Sequence, residues 1–179
     1  FRWIPGLSKM VGPVGNFTSG DHPHIFQIRA KDRKGAVRVG PLICYEDIFP
    51  FLSRDIVSQE VDFLFVSTND AWFEWEGCAE QHAAHSILRA LELGRPFLRC
   101  GNAGWSGWID GRGIVREVLE NEEGSIYFEG AGLFELLLPS RNRTLYVRYG
   151  DYFLIACLSL FSVSYLIKRK RIDLSEEYG

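Results

Sequence analysis

The sequence lacks any CxxC pair. Its four cysteines, Cys44, Cys78, Cys100 and Cys157, fall at irregular spacings. A zinc cage or a disulfide framework is thereby excluded, and each thiol has to be judged by its own surroundings. A basic patch is also missing. Net charge is −3 and the cations are scattered except at residues 168–171, which argues against a nucleic-acid partner. No charged n-region and apolar h-region open the chain, which begins Phe1-Arg2-Trp3-Ile4-Pro5-Gly6. That is not a signal peptide, and it reads as the interior of a longer protein. There is no internal repeat and no low-complexity tract. Apolar residues are not scarce: at 46% of 179 residues they suffice for one core plus an appendage.

The appendage lies near the end. Residues 152–167 (YFLIACLSLFSVSYLI) hold no charge, glycine or proline, and Lys168-Arg169-Lys170-Arg171 follow. Sixteen helical residues reach about 24 Å, somewhat short of the ~30 Å hydrocarbon core. Snorkelling cations and the tyrosines at 146, 149, 152 and 165 suit the two interfaces. A helix apolar all round and closed by four cations predicts a membrane anchor over a buried core helix. The positive-inside rule puts 168–179 in the cytoplasm and residues 1–140 across the membrane, in a bacterium the periplasm, with 141–151 as linker. No ionisable group lies within the span, so a transport pathway is not expected.

Before the anchor, residues 5–23 read as a Gly/Pro-rich loop, 24–30 and 36–43 as strands, and 31–35 as a charged turn. A helix is expected after Pro50, and a strand buried on both faces at 61–67. Residues 78–93 predict a helix with Ala84, Ile87, Leu88 and Leu91 as its apolar stripe, ended by Gly94 and Pro96. Further strands are expected at 96–100, 105–110, 114–118, 125–129 and 133–138. This order is that of an α/β or α+β layered domain.

Three clusters close buried strands, where α/β sites are commonly built. In the first, Gly40-Pro41-Leu42-Ile43-Cys44-Tyr45-Glu46-Asp47, an apolar strand runs into a cysteine at a strand-to-helix corner. Backbone N–H donors and a helix dipole at such a corner stabilise a thiolate. An extended backbone would put Glu46 on the same side as Cys44. An inert cysteine closing a buried strand is the competing reading. The second cluster holds Asn69, Asp70, Trp72 and Phe73, although Asn69 and Asp70 also suit a plain turn. The third is Arg99-Cys100-Gly101-Asn102-Ala103-Gly104-Trp105-Ser106, where Asn102 and Ser106 offer hydrogen bonds.

On the 78–93 helix, His82, His85, Arg89 and Glu92 share a face. No HExxH pattern accompanies the histidines, so no metal is expected; a half-buried polar network with Arg89 paired to Glu92 is. Cys78 is a weaker nucleophile candidate, Cys100 reads as a strand residue, and Cys157 lies in the anchor.

Together these motifs resemble the nitrilase superfamily, through Ile43-Cys44-Tyr45-Glu46 and Asn69-Asp70-Ala71-Trp72-Phe73. Within it they are similar to the apolipoprotein N-acyltransferase family. That likeness is carried by Arg89-Ala90-Leu91-Glu92-Leu93-Gly94-Arg95-Pro96, by Asn102 to Ser106 with Ile109-Asp110-Gly111-Arg112-Gly113, and by Thr144 to Asp151 leading into the anchor. It spans most of residues 3–167. It implies a four-layer α-β-β-α sandwich, of which this is the C-terminal part, followed by one transmembrane helix.

The implied chemistry is a Glu-Lys-Cys triad with Cys44 as nucleophile, supported by Tyr45 and Glu46. The Glu and Lys lie upstream; Lys9 and Lys31 stand in the wrong context for that lysine, so the chain alone is expected to be inactive. Asn69, Trp72, Phe73, Asn102 and Ser106 are the expected substrate contacts, and Trp72, Phe73 and Trp75 suit an aromatic loop that touches lipid, with core packing as the competing reading. The implied partners are a phospholipid acyl donor, a diacylated apolipoprotein acceptor and the bilayer of the inner membrane, with no cofactor. A membrane-tethered amidase and a catalytically dead binding domain remain as alternatives.

Overall fold

The structure, a computed structural model, describes residues 20–29, 35–73, 77–140 and 142–177. Residues 31–34 of the expected turn, most of the 5–23 loop, Lys9, Lys31 and Trp75 lie outside the described residues.

Six strands form one sheet in chain order: β1 (Phe26–Arg29), β2 (Ala36–Ile43), β3 (Phe63–Asn69), β4 (Phe97–Asn102), β5 (Gly107–Ile109) and β6 (Val115–Val118). The central β2, β3 and β4 are parallel, and β1, β5 and β6 join antiparallel at the edges. Two helices make the parallel crossovers, α1 (Pro50–Ser58) and α2 (Cys78–Leu93). Right-handed crossovers between successive neighbouring strands put both helices on the same side of the sheet. Pro50 opens α1, where its fixed φ fits the first turn and its missing N–H costs nothing. Gly94 ends α2 at φ +64°, its N–H bonded to the Ala90 carbonyl, a left-handed closure that glycine adopts without strain.

The core lies between this helix layer and the sheet. Leu42, Leu64, Val66, Phe97 and Ile109 meet Ile56, Val57, Ala83, Ala90 and Leu93, all buried. Strand alternation sends Phe26, Ile28, Val39, Ile43, Phe63, Phe65 and Leu98 to the opposite face. That face is apolar, yet Phe26, Ile28 and Ile43 stand exposed on it. A layer with one helix-covered face and one apolar, partly open face is half of the expected four-layer sandwich.

Two expectations are corrected. Of the stripe Ala84, Ile87, Leu88 and Leu91, Ile87 alone packs against the core, while Ala84 is exposed and Leu88 and Leu91 are 51% and 59% exposed. The buried face is Ala79, His82, Ala83, Ser86, Arg89, Ala90 and Leu93. Small side chains let α2 lie close to the sheet, and its buried polar groups find partners there, so burial follows hydrogen bonding over hydropathy. The expected strands at 125–129 and 133–138 are irregular chain. Asn121 turns this segment by accepting from the N–H groups of Glu123 and Ser125. Ile126, Phe128 and Phe134 then line a cleft with Phe65 and Leu98, so their alternation lies across the sheet instead of joining its ladder.

The 141–151 segment contains a short helix, α3 (Leu145–Tyr149), capped by Thr144, whose hydroxyl accepts from the Val147 N–H at 3.1 Å. The same hydroxyl donates to the Glu92 carbonyl at 2.6 Å, and Arg54 on α1 donates to the Val147 carbonyl at 3.2 Å. The lead-in to the last helix is therefore fastened to both α1 and α2. That helix, α4 (Tyr152–Glu177), runs ten residues past position 167. Among the described residues it is the one helix long and apolar enough to cross a membrane, over Tyr152–Arg169, with mean hydropathy 1.4 and none of it buried.

Candidate active site

The parallel strands end side by side. Register aligns Ile43 with Ser67 and Asn69 with Asn102, so the three clusters singled out in the sequence meet at one edge of the sheet. At the end of β2 the chain enters a 3-10 turn, Cys44–Ile48. Cys44 has φ +51°, in the left-handed region that a non-glycine residue occupies at a cost of roughly 1–2 kcal/mol. Its side chain is half-buried and its thiol is free. A sharp corner of this kind turns a side chain out of the strand and towards whatever lies beyond its end.

The residues after Cys44 are each tied down. The expected extended path to Glu46 is not seen. The tight turn brings its carboxylate back to accept from the Ile43 N–H at 2.7 Å, and the side chain is exposed. Tyr45 stacks on His82 with ring centroids 4.8 Å apart. Asp47 is fully buried. It accepts from Ser86 Oγ at 2.5 Å and lies 3.0 Å from His82 Nε2, both on α2, and its third partner, from the sheet, is the Arg99 guanidinium. Arg99 also donates to Ser86 Oγ at 2.6 Å. The Ile48 carbonyl accepts from Arg89 at 3.2 Å, while Arg89 pairs with Glu92 at 2.8 Å as expected.

On its far side His82 meets a second carboxylate. Its Nδ1 lies 2.9 Å from Asp70 Oδ1, which also accepts from Thr68 Oγ1 at 2.9 Å. With a carboxylate at each ring nitrogen, both nitrogens donate and the ring is an imidazolium. Burial alone would push its pKa down, but the hydrogen bonds it donates to Asp47 and Asp70 outweigh burial and raise it to about 9. Burial likewise pushes the Asp47 carboxyl up, and the His82 hydrogen bond, the Arg99 charge and Ser86 together bring it below the usual carboxylate range.

Of the remaining expected residues, Asn69 and Asn102 come together: Asn102 Nδ2 donates to Asn69 Oδ1 at 2.9 Å. Trp72 is 79% exposed beside them on a 3-10 turn, Ala71–Phe73, and the Phe73 side chain lies outside the described residues. Ser106 does not reach this cluster through a hydrogen bond. Its hydroxyl accepts from the Gly101 N–H at 3.0 Å and braces the 101–106 turn. Asp70 is no surface turn residue but fully buried. His85 is exposed, so the expected histidine face splits. Among the described residues no cluster has metal-binding composition and spacing.

Sequence reasoning missed Asp47, Thr68, Ser86 and Arg99 as members of one network. Two signals were available: Arg99 is a lone cation inside an apolar strand, and Ser86 stands four residues after His82 on the helix. What the arrangement offers chemically is a free thiol on a strained corner. Buried charge holds that corner from behind, and a polar and aromatic rim lies in front.

The chain is 35% identical over 158 residues to an apolipoprotein N-acyltransferase of Geobacter metallireducens, covering 88% of this chain and 28% of that protein. It is 34% identical over 137 residues to an apolipoprotein N-acyltransferase of Thermotoga maritima, covering 76% of this chain and 26% of that protein. The chain thus spans little more than a quarter of the length of these relatives. An amidase from a Nesterenkonia species superposes with a TM-score of 0.45 at 17% identity, over 57% of this chain and 39% of that one. The carbon-nitrogen hydrolase model matches residues 7–130, which takes in the Cys44 corner, the paired asparagines and the whole buried network; the chain belongs to the carbon-nitrogen hydrolase family.

Proposed function

We propose that this chain carries the nucleophile of an apolipoprotein N-acyltransferase anchored in the bacterial inner membrane. The observation that carries the reading is Cys44, a free thiol at φ +51° on the edge where the parallel strands end. In the reaction, the Cys44 thiolate attacks the ester carbonyl of a phospholipid. The tetrahedral oxyanion collapses, the glycerol oxygen leaves with a proton as lysophospholipid, and an acyl-thioester remains. The α-amine of a diacylglyceryl-cysteine then attacks the thioester. The amide forms, the amine loses a proton, and the thiolate is released. Tyr45 and Glu46 support the nucleophile turn. Asn69 and Asn102, with Ser106 bracing their loop, line the approach, and the exposed Trp72, with its chain neighbour Phe73, is assigned to the acyl chains. No cofactor enters the reaction.

Both substrates are held in a bilayer, and the apolar span Tyr152–Arg169 supports the same location for the enzyme. On this reading residues 1–140 are the C-terminal part of the catalytic domain, outside the cytoplasm, 152–167 the membrane-crossing part of α4, and 168–179 its cytoplasmic end.

The test uses the full-length protein that carries this chain. Incubation with phospholipid should place a hydroxylamine-labile acyl group on Cys44, readable by peptide mass spectrometry, and Cys44→Ser should abolish N-acylation of a diacylated lipopeptide. Family membership keeps an amidase reading open. Ammonia release from small amides with no acyl transfer from lipid would select it.

A further inference from the structure

The turn that carries Cys44 is strained, and residues in sparsely populated backbone regions persist only where their surroundings over-determine them. Ladder pairing with β3 holds the chain up to Ile43. Beyond Cys44 the tethers come from elsewhere: Tyr45 rests on His82, Asp47 is gripped by His82, Ser86 and Arg99, and Ile48 is held by Arg89. His82 serves two of these three and also reaches Asp70 in the loop after β3.

We propose that His82 is a positioning residue for the Cys44 thiol: its imidazolium clamps Asp47, on the nucleophile turn, to Asp70, on the neighbouring strand-end loop, and its ring face seats Tyr45. The proposal rests on Cys44 as nucleophile. Both ring nitrogens are committed to carboxylates, so His82 holds the turn and does not itself accept the thiol proton.

Charge explains why a histidine stands there. Asp47 and Asp70 are two fully buried carboxylates, and Arg99 with His82 supplies two cations. The groups facing the ring are Asp47 and Tyr45 from the turn, Asp70 from the loop after β3, and Arg99 from β4. Removing the imidazolium leaves one buried carboxylate uncompensated, a charge that forces rearrangement. Because Asp47 lies three residues from Cys44, the rearrangement moves the turn.

Three forms of the full-length protein test this: wild type, His82→Gln, and His82→Gln with Asp70→Asn, which restores charge balance with two neutral amides. Two rates are read at Cys44, acyl-thioester formation from phospholipid in a single turnover and alkylation by iodoacetamide at pH 7.5. His82→Gln should slow both at least tenfold with the phospholipid KM unchanged, and the double variant should recover most of the loss. The wild-type acylation rate should fall above about pH 9 as His82 deprotonates, and His82→Gln should lack that limb. Wild-type rates in His82→Gln, or a folded double variant as slow as the single, would overturn the clamp. A wild type that alkylates at Cys44 yet never forms the thioester would sink the acyl-transfer reading, with the clamp then judged on the alkylation rates.

Discussion

The Tyr45 ring lies nearly parallel to the His82 imidazole, 4.8 Å away between centroids and tilted by 20°. Tyr45 follows Cys44 directly, while His82 sits in the first half of α2. The stack therefore joins the thiol's neighbour to a buried charged network. Disturbance of that network is expected to reach the site through Tyr45 and Asp47.

The charged state of His82 makes stability depend on pH. Its pKa in the fold, about 9, lies above the ordinary value of 6.5. Its contribution is thus fully present below about pH 6.5 and is lost as pH rises through about 9. Thermal melts of wild type should show Tm declining over this window, and His82→Gln should start lower and decline less. Parallel curves for the two proteins would contradict the assignment of the imidazolium.

Arg99 is buried and compensates Asp47. Arg99→Met removes the cation and leaves a carboxylate inside the protein, a change that costs about 3–5 kcal/mol. Urea denaturation should show this loss. A cost below about 1 kcal/mol would mean that His82 alone neutralises Asp47.

Backbone strain at Cys44 should be measurable. Glycine tolerates a positive φ and alanine does not, so Cys44→Gly should be more stable than Cys44→Ala by roughly 1 kcal/mol. At an ordinary backbone conformation the order would reverse, because glycine has the greater freedom to lose. Paired denaturation curves decide between the two.

Gly104 lies against Asp70. A Cβ there would stand 2.4 Å from Asp70 Oδ2 and 2.5 Å from Asp70 Cβ. Gly104→Ala must push Asp70 away from His82, and we expect a loss of about 1–3 kcal/mol, the usual range for overpacking. If the damage runs through the clamp, Gly104→Ala should cost little more when His82→Gln is already present. Additive costs would place the damage elsewhere.

The apolar span of α4 can be probed at its middle. Leu160 is exposed on a helix with no buried residue across Tyr152–Arg169. Leu160→Arg should weaken insertion by about 2.5–3.5 kcal/mol. Alkaline extraction of membranes should then release more of a fusion protein carrying residues 144–177. Equal retention of both forms would argue against a membrane-crossing role for this helix.

The bounds of β2 and α2 were legible because each signal is local. An alternating apolar run ends at Ile43, and a helical period ends at Gly94. The face that α2 buries was not legible. Periodicity located the leucines, but Asp47 and Asp70 inside the fold reward the polar face with hydrogen bonds, and those partners lie 35 and 12 residues from His82 in the chain. The strand expectations at 125–129 and 133–138 failed for a related reason. Alternation marks residues that face one side, and a chain lying across a sheet needs this as much as a strand within it.

By itself, the sequence determined most of the local elements, the apolar span near the end and the three strand-end clusters, because propensity, hydropathy period and turn chemistry act over a few residues. Only the tertiary structure decided that the clusters share one edge, that Cys44 turns on a left-handed corner, and that His82 joins two carboxylates. Those facts depend on strand register and on charge balance in a buried space, both of which arise from residues far apart in the chain.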